Sequence, residues 1–359
     1  MAAPQSADEE MQEFIRMIQK RAMYLESDGV AEGVGSGVLE KLQEAGGPPL
    51  PPTTRLSRGP ARPIAAVDVG MAKLGETPQG VVIALRGALV VDAPSGSTVS
   101  RYYSGPLYLD NARKAETLFA LGRQLSQDDY YVEVDRADPD RPQPIRVRDG
   151  VADNARHYAD RFRSWFERKI QADACVAVQE GTVCFDSSLT LSTRDCPNSY
   201  LRGLVARAHG QGNSVVAVSK QSELEVMGKS VRWWLDDAPP MPCRRALSPL
   251  IRQDSSARAA RILGQTHAVR FAAAAPSAFR VDVCAAPGVT DDEAIERFYA
   301  STRVRGFYPD ILVRAHMHAT IPRSAVWSLQ AQARRDYGVI CRADVSLQAV
   351  FGPFAGRFK

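Results

Sequence analysis

No run of about 18 apolar residues occurs anywhere in the 359 residues, so nothing in the sequence reads as a membrane span. Met1 to Glu10 has neither a basic nor an apolar stretch and carries Asp8, Glu9 and Glu10, which reads as no secretory signal and a cytoplasmic protein. Six cysteines, at 175, 184, 196, 243, 284 and 341, form no C-x-x-C pair and no Cys/His cluster at zinc spacing. They read as reduced, mostly buried thiols. No G-x-G-x-x-G follows a strand and no G-x-x-x-x-G-K-[ST] exists, which argues against a doubly wound dinucleotide fold and a P-loop. The glycine-rich piece Gly29 to Gly37 has no strand before it and reads as a turn or linker. Charge of one sign is scarce too: the net charge is +4, which permits nucleic acid as a partner without demanding it. No internal repeat is visible.

What is present suits a globular chain: 45% hydrophobic and 24% charged residues are enough to bury a core without staples. Residues 7–26 have the apolar spacing of an amphipathic helix, and residues 37–45 suggest a second, capped by Ser36. Residues 46–63 are so rich in Pro and Gly that they read as a linker or extended arm. Residues 1–45 are therefore an N-terminal helical appendage, and 64–359 the main domain. Within it, strands are expected at 64–68, 80–91 (one long strand or a hairpin), 101–109, 174–178, 183–185, 213–218, 268–273 and 279–284. Helices are expected at 111–125, 151–172, 198–209, 222–235, 291–302 and 324–337. Residues 126–150 are polar and irregular, and the span 92–150 reads as carrying an insertion. Strands first, then helix–strand alternation, predicts an α/β class: a mixed sheet flanked by helices.

Several residues could carry chemistry. Asp68 ends an apolar run and precedes Val69-Gly70; a carboxylate there, with glycine allowing close approach, can hold a divalent cation, or it can simply cap a turn. Asp186 follows the strand around Cys184-Phe185 with the same two readings. Glu167 lies in a helix four residues after Arg163, where a surface ion pair is the plain alternative. Glu180, at the end of the expected strand 175–179, competes with it as a third carboxylate. Lys220 leaves a buried strand after Ser219 and is placed to meet a phosphate or to be solvated. If Pro309 opens a helix, Tyr308 and His316 lie about two turns apart and can share a cleft, with His318 offset; an H-x-H metal pair on a strand is the alternative.

In this order the motifs resemble the NurA nuclease family, over about residues 64–340. The matching pieces are Ala66-Val67-Asp68-Val69-Gly70; Arg163 and Glu167; Asp186-Ser187-Ser188-Leu189-Thr190; Val215 to Ser219-Lys220; and Phe307-Tyr308-Pro309 followed by Leu312, Ala315 and His316. The resemblance implies an RNase H-like fold and a homodimer. It also implies a site in which Asp68, Glu167, Asp186 and His316 hold Mn²⁺ (or Mg²⁺), with Tyr308 contributing to catalysis. Lys220, Ser219 and Arg163 would then meet DNA phosphates, and Arg101, Arg244, Arg245 and Arg252 could track the backbone. The implied activity is that of a 5′–3′ exonuclease and single-strand endonuclease, resecting double-strand break ends with a HerA-like hexameric ATPase. Asp68 is followed by Val-Gly where the family has Gly-Ser. A non-catalytic DNA-binding or adaptor subunit of the same fold therefore stays open, as does an unrelated α/β phosphoryl-transfer hydrolase.

Overall fold

A computed structural model of the chain describes residues 50–77, 79–110, 155–191, 198–220, 222–252 and 261–338. The expected helices at 7–26, 37–45 and 111–125, the stretch 126–150 and residues 1–49 in general lie outside the described residues. Nine strands form one mixed sheet: β1 (Thr53–Arg55), β2 (Ile64–Thr77), β3 (Gly80–Ala93), β4 (Gly96–Asp110), β5 (Thr182–Phe185), β6 (Ser214–Ser219), β9 (Cys243–Ala246), β10 (Gln265–Arg270) and β11 (Phe279–Cys284). Their spatial order is β1-β9-β10-β11-β6-β5-β2-β3-β4. Only β2–β5 and β5–β6 pair in parallel; the remaining pairs are antiparallel. The expected α/β class, a mixed sheet flanked by helices, is what the chain builds.

Side-chain alternation along β2 sorts the two faces. Ala65, Val67 and Val69 join Val183, Phe185, Val215 and Ala217 under α1 (Ala155–Ala177) and α2 (Asn198–His209). Ile64 and Ala66 join Cys184, Val216 and Val218 on the opposite face, under α4 (Asp291–Ser301) and α5 (Asp310–Ala319). A third cluster gathers residues 226–251 around Trp234, including the short helix α3 (Ser248–Ile251). α6 (Arg323–Tyr337) covers the outer ends of β2 and β3 through Ala333. Among the described residues no helix is long and apolar enough to cross a membrane.

Several expectations are corrected. The strand expected at 174–178 falls instead on the last turn of α1, which ends at Ala177, and the bend at Val178, because Ile170 and Ala174 continue the helix's buried stripe and tertiary burial overrides the β-branched composition. The helix expected at 222–235 is a hairpin, β7 (Glu225–Val226) and β8 (Lys229–Ser230), followed by a 3₁₀ turn at Val231–Trp233. Met227 and Gly228 both have positive φ, 52° and 74°, the tight-turn conformation that joins two strands through two residues. The Pro/Gly-rich arm holds the edge strand β1; at an edge, flanking prolines break no ladder hydrogen bond. Residues 96–110, inside the span read as carrying an insertion, form β4 of the same sheet. Arg244 and Arg245 do not face solvent. Both are 5% exposed, Arg244 paired with Asp292 and Arg245 with Asp237. Only Arg101 and Arg252 of that basic set are exposed.

His267 on β10 is 2% exposed, and neither ring nitrogen has a hydrogen-bond partner among the described residues. Burial, reinforced by the Arg244 charge, pushes its imidazole down to about 4, against about 6.5 in an unfolded chain. Below pH 6.5 the unfolded chain takes up a proton that the folded chain refuses. Stability is therefore fully present above pH 6.5 and falls as pH drops toward 4, by about 3 kcal/mol in all. Urea denaturation at pH 7, 5 and 4 should show this loss, and His267→Leu should flatten it. An equal acid loss in that variant would assign it to other groups.

Candidate functional site

The parallel register of β2 and β5 pairs Ala66 with Cys184 and Val67 with Phe185. The next step along both strands brings Asp68 beside Asp186. Both carboxylates follow the alternation of Ile64, Ala66 and Cys184, so both leave the sheet on the α4/α5 face. Asp68 does not end its strand as expected: β2 continues to Thr77. The carboxylate therefore projects from mid-strand, where β5 stops and β2 runs on.

α5 supplies the partners. A Cβ on Gly70 would lie 2.3 Å from the Ala319 carbonyl oxygen, so this glycine lets the end of α5 settle directly on β2. His316 then reaches Asp68, Nδ1 to Oδ2 2.7 Å. Tyr308, in the short strand Tyr308–Pro309 at the mouth of α5, donates its hydroxyl to Asp186 Oδ1 at 2.8 Å. Lys220, just past β6, donates to Asp186 Oδ2 at 2.5 Å, with its ammonium 4.9 Å from the centre of the Tyr308 ring. The expectation that Tyr308 and His316 share one cleft matches this placement, and His318 turns away to Arg101, 3.2 Å distant.

Glu167 approaches from α1. Arg163, Glu167 and Gln171 recur every four residues along that helix beside its apolar stripe. Arg163 Nη1 donates to Glu167 at 3.1 Å and to the Val69 carbonyl at 3.4 Å, and Gln171 donates to Glu167 at 3.2 Å. The ion pair between Arg163 and Glu167 is thus present, but Glu167 is only 8% exposed. Glu180, the competing carboxylate, sits at the other end of β5 in a bend with φ 49°. Four strand residues at about 3.3 Å each put it more than ~13 Å from Asp186. Glu167 feels the charges of both aspartates, although α1 packs on the face of the sheet opposite the one from which they leave.

The charges of these groups act on one another. Burial raises the Glu167 carboxyl, and Asp68 and Asp186 push it further up against Arg163 and Arg168. Burial also works to raise Asp68, but the hydrogen bond and charge of His316, the Val69 N–H and Lys220 outweigh it and hold Asp68 below the usual range. His316 is raised, first by its hydrogen bond to Asp68, against partial burial. Tyr308 is raised by burial and by the Asp186 charge that its hydroxyl meets, so it stays a proton donor.

Ser219 stands at the end of β6, beside Lys220. Its hydroxyl donates to the Ser187 carbonyl at 2.9 Å, anchoring the loop after Asp186. Asp282 was invisible to sequence reading. Fully buried on β11, it accepts from the Leu189 N–H (2.9 Å), from Thr266 Oγ1 (2.8 Å) and from Arg280 Nε (2.9 Å), while Arg280 also donates to Thr190. The one available signal was Arg280 and Asp282 at i, i+2, hence on one face of an otherwise apolar strand.

Among the described residues no three carboxylate, imidazole or thiol groups form a ready-made cation cage. Each is engaged within the chain: Asp68 by His316, Asp186 by Lys220 and Tyr308, Glu167 by Arg163 and Gln171. The donor chemistry nonetheless fits a divalent ion. Three mutually repelling carboxylates with one imidazole are the oxygen-rich set that Mn²⁺ or Mg²⁺ takes, and the imidazole favours Mn²⁺. On the β3/β4 side, Ala88 pairs with both Asp68 and Arg101, and Arg86 with both Gly70 and Tyr103. Arg86 and Arg101 therefore extend a cationic surface across the sheet from Asp68.

No protein-family model matches the chain, and no curated protein matches its sequence. Solved structures do match in fold. The crystal structure of the NurA nuclease from Sulfolobus solfataricus is similar with a TM-score of 0.50 at 12% identity, covering 93% of this chain and 98% of that one. A NurA crystal structure with manganese (TM-score 0.38, 10% identity, 90% and 98% coverage) and another of NurA (0.39, 9%, 99% and 99%) are more distant. The chain has a NurA-like fold.

Proposed function

We propose that this chain is a metal-dependent nuclease that hydrolyses DNA phosphodiesters at Asp68, Asp186 and Glu167. The observation that carries this reading is the parallel β2–β5 register, which sets two aspartates side by side within reach of Tyr308, His316 and Lys220. Asp68, Asp186 and Glu167, with His316, would hold Mn²⁺ or Mg²⁺. Such an ion supplies polarisation of the scissile phosphate and a lowered pKa for an attacking water. The side chains do the rest. Lys220 faces the carboxylates with a positive charge that can pass to a phosphate oxygen. Tyr308 keeps its proton and can donate it in a hydrogen bond to that phosphate. Where it is not a ligand of the ion, His316, whose pKa the hydrogen bond to Asp68 raises, can instead give a proton to the leaving oxygen. Arg163 positions Glu167 and the Val69 carbonyl from α1.

On the same reading, Arg86 and Arg101 track the DNA backbone, and Arg244 and Arg245 do not. A 5′–3′ exonuclease with single-strand endonuclease activity, end resection beside a HerA-like ATPase, a homodimeric state and a cytoplasmic location are the further parts of the proposal. They are supported by the motif resemblance and the shared fold. A second reading, a DNA-binding adaptor without catalysis, draws on the way each carboxylate already has a partner within the chain.

Incubation of the full chain with 5′-labelled single- and double-stranded DNA, with Mn²⁺ and with EDTA, separates the two. Mn²⁺-dependent shortening is expected. DNA that binds but stays intact, even with a HerA-type ATPase added, would favour the adaptor.

A further inference from the structure

Beside Lys220 opens a cleft of about 650 Å³. Its walls are unlike those of a small-molecule pocket, which are mostly apolar. Lys220, Arg232 and Arg280 supply three cations, Ser188, Ser219 and Ser222 three hydroxyls, and Glu223 the one carboxylate. Lys220 also touches Asp186, so the cleft opens onto the carboxylate cluster. Arg280 is answered by the buried Asp282 and serves the wall. Among the described residues, no carboxylate pairs with Arg232, which is exposed.

Arg232 stands on the 3₁₀ turn next to two tryptophans with opposite fates. Trp234 is fully buried, and its indole N–H donates to the Lys229 carbonyl at 3.1 Å. Trp233 is 44% exposed, with the Arg232 guanidinium 5.3 Å from its ring centre. The turn that carries them is held fast: Val231 is buried, its N–H donates to the Leu224 carbonyl, and the Ala278 N–H donates to the Arg232 carbonyl at 2.9 Å. An indole kept in water on a rigid turn, beside a cationic and hydroxyl-lined cleft, has the two parts of a single-strand binding site. One is a groove for the backbone and the other a face on which a base stacks.

We infer that this cleft is a subsite for single-stranded nucleic acid, in which Arg232 and the Ser222 hydroxyl, which accepts from the Leu224 N–H and keeps its own proton to donate, hold a phosphodiester next to the carboxylates and Trp233 stacks an adjacent base. The inference rests on the nuclease reading for its purpose, but binding can be measured without catalysis. A stacked base must be out of its pair, so the subsite selects single strands.

The test is equilibrium binding of the full chain to a fluorescein-labelled oligothymidylate of about 12 nucleotides, in EDTA, over a salt series. Trp233→Ala should raise Kd by about 5- to 150-fold with the salt slope unchanged. Trp233→Phe should recover most of that loss. Arg232→Ala should weaken binding and reduce the salt slope by about 0.7, one phosphate contact on a single strand. On a duplex of matched length, Trp233→Ala should change little. Wild-type affinity in both alanine variants, with melting temperatures intact, would overturn the subsite, as would absence of oligothymidylate binding by the wild type. If an acidic phosphopeptide competes as well as the oligonucleotide and Trp233→Ala binds normally, the cleft is a protein-docking site instead. Cleavage with Mn²⁺ is scored separately. Trp233-dependent binding without cleavage defeats the nuclease reading alone, and cleavage with both variants binding normally defeats the subsite alone.

Discussion

Asp68→Ala is expected to lower Mn²⁺-dependent DNA cleavage by about a thousandfold or more. A carboxylate that helps hold the ion contributes to transition-state charge stabilisation worth several kcal/mol, and each ~1.4 kcal/mol is a factor of ten. The fold should survive the change. Asp68 loses a hydrogen bond to His316, whose side chain is 62% exposed, so no buried charge is left alone. Removing one of three neighbouring carboxylates also eases the repulsion that raises Glu167. Oligonucleotide binding in EDTA should therefore hold or tighten while cleavage collapses. Asp68→Asn, which keeps the shape and can still hydrogen-bond His316, should be nearly as inactive, because the charge and not the packing is what the ion needs. A rate within about threefold of wild type in either variant would remove Asp68 from the chemistry.

Asp282→Ala is expected to be the most destabilising single change near the site, by about 3–5 kcal/mol. It would leave Arg280, 7% exposed, without its counter-charge, and the Leu189 N–H and Thr266 hydroxyl without an acceptor. Urea denaturation at pH 7 measures the loss. Because Leu189 and Thr190 belong to the loop that follows Asp186, cleavage should fall too, although Asp282 touches no reacting group. It is a positioning residue, and Arg280→Met with Asp282→Leu should restore much of the stability by removing both charges together. A cost below about 1 kcal/mol for Asp282→Ala would mean that the loop is held by other contacts.

Local pattern was enough for much of this chain. The helix at 198–209 and the strand at 279–284 have the bounds that periodicity predicts, because each carries a clean 3.6- or 2-residue alternation. Where a local pattern was ambiguous, burial decided. Residues 174–177 are rich in small and β-branched types yet end a helix, since Ile170 and Ala174 lie on its buried side. Residues 222–235 carry apolar residues at mixed spacing that fits a helix, but the positive φ of Met227 and Gly228 turns them into a hairpin.

The candidate site divides in the same way. The sequence alone determined which residue types stand where: aspartates at the exits of apolar runs, a glutamate four residues from an arginine, a lysine after a buried strand, a tyrosine and a histidine eight residues apart. These are facts of spacing, and spacing sets the face on which a side chain lies within its own element. Only the tertiary structure decided which of them meet. Asp68 and Asp186 are 118 positions apart and become neighbours through one parallel strand pairing. Glu180 lies at the far end of β5 because α1 runs on past the point where a strand was expected, while Glu167 lies within α1. Asp282, Arg232 and Trp233 gained their roles from strand order and from a hairpin turn. The physical reason is that contact between distant segments depends on the register and packing of whole elements, to which every residue of the core contributes and which no short window of sequence contains.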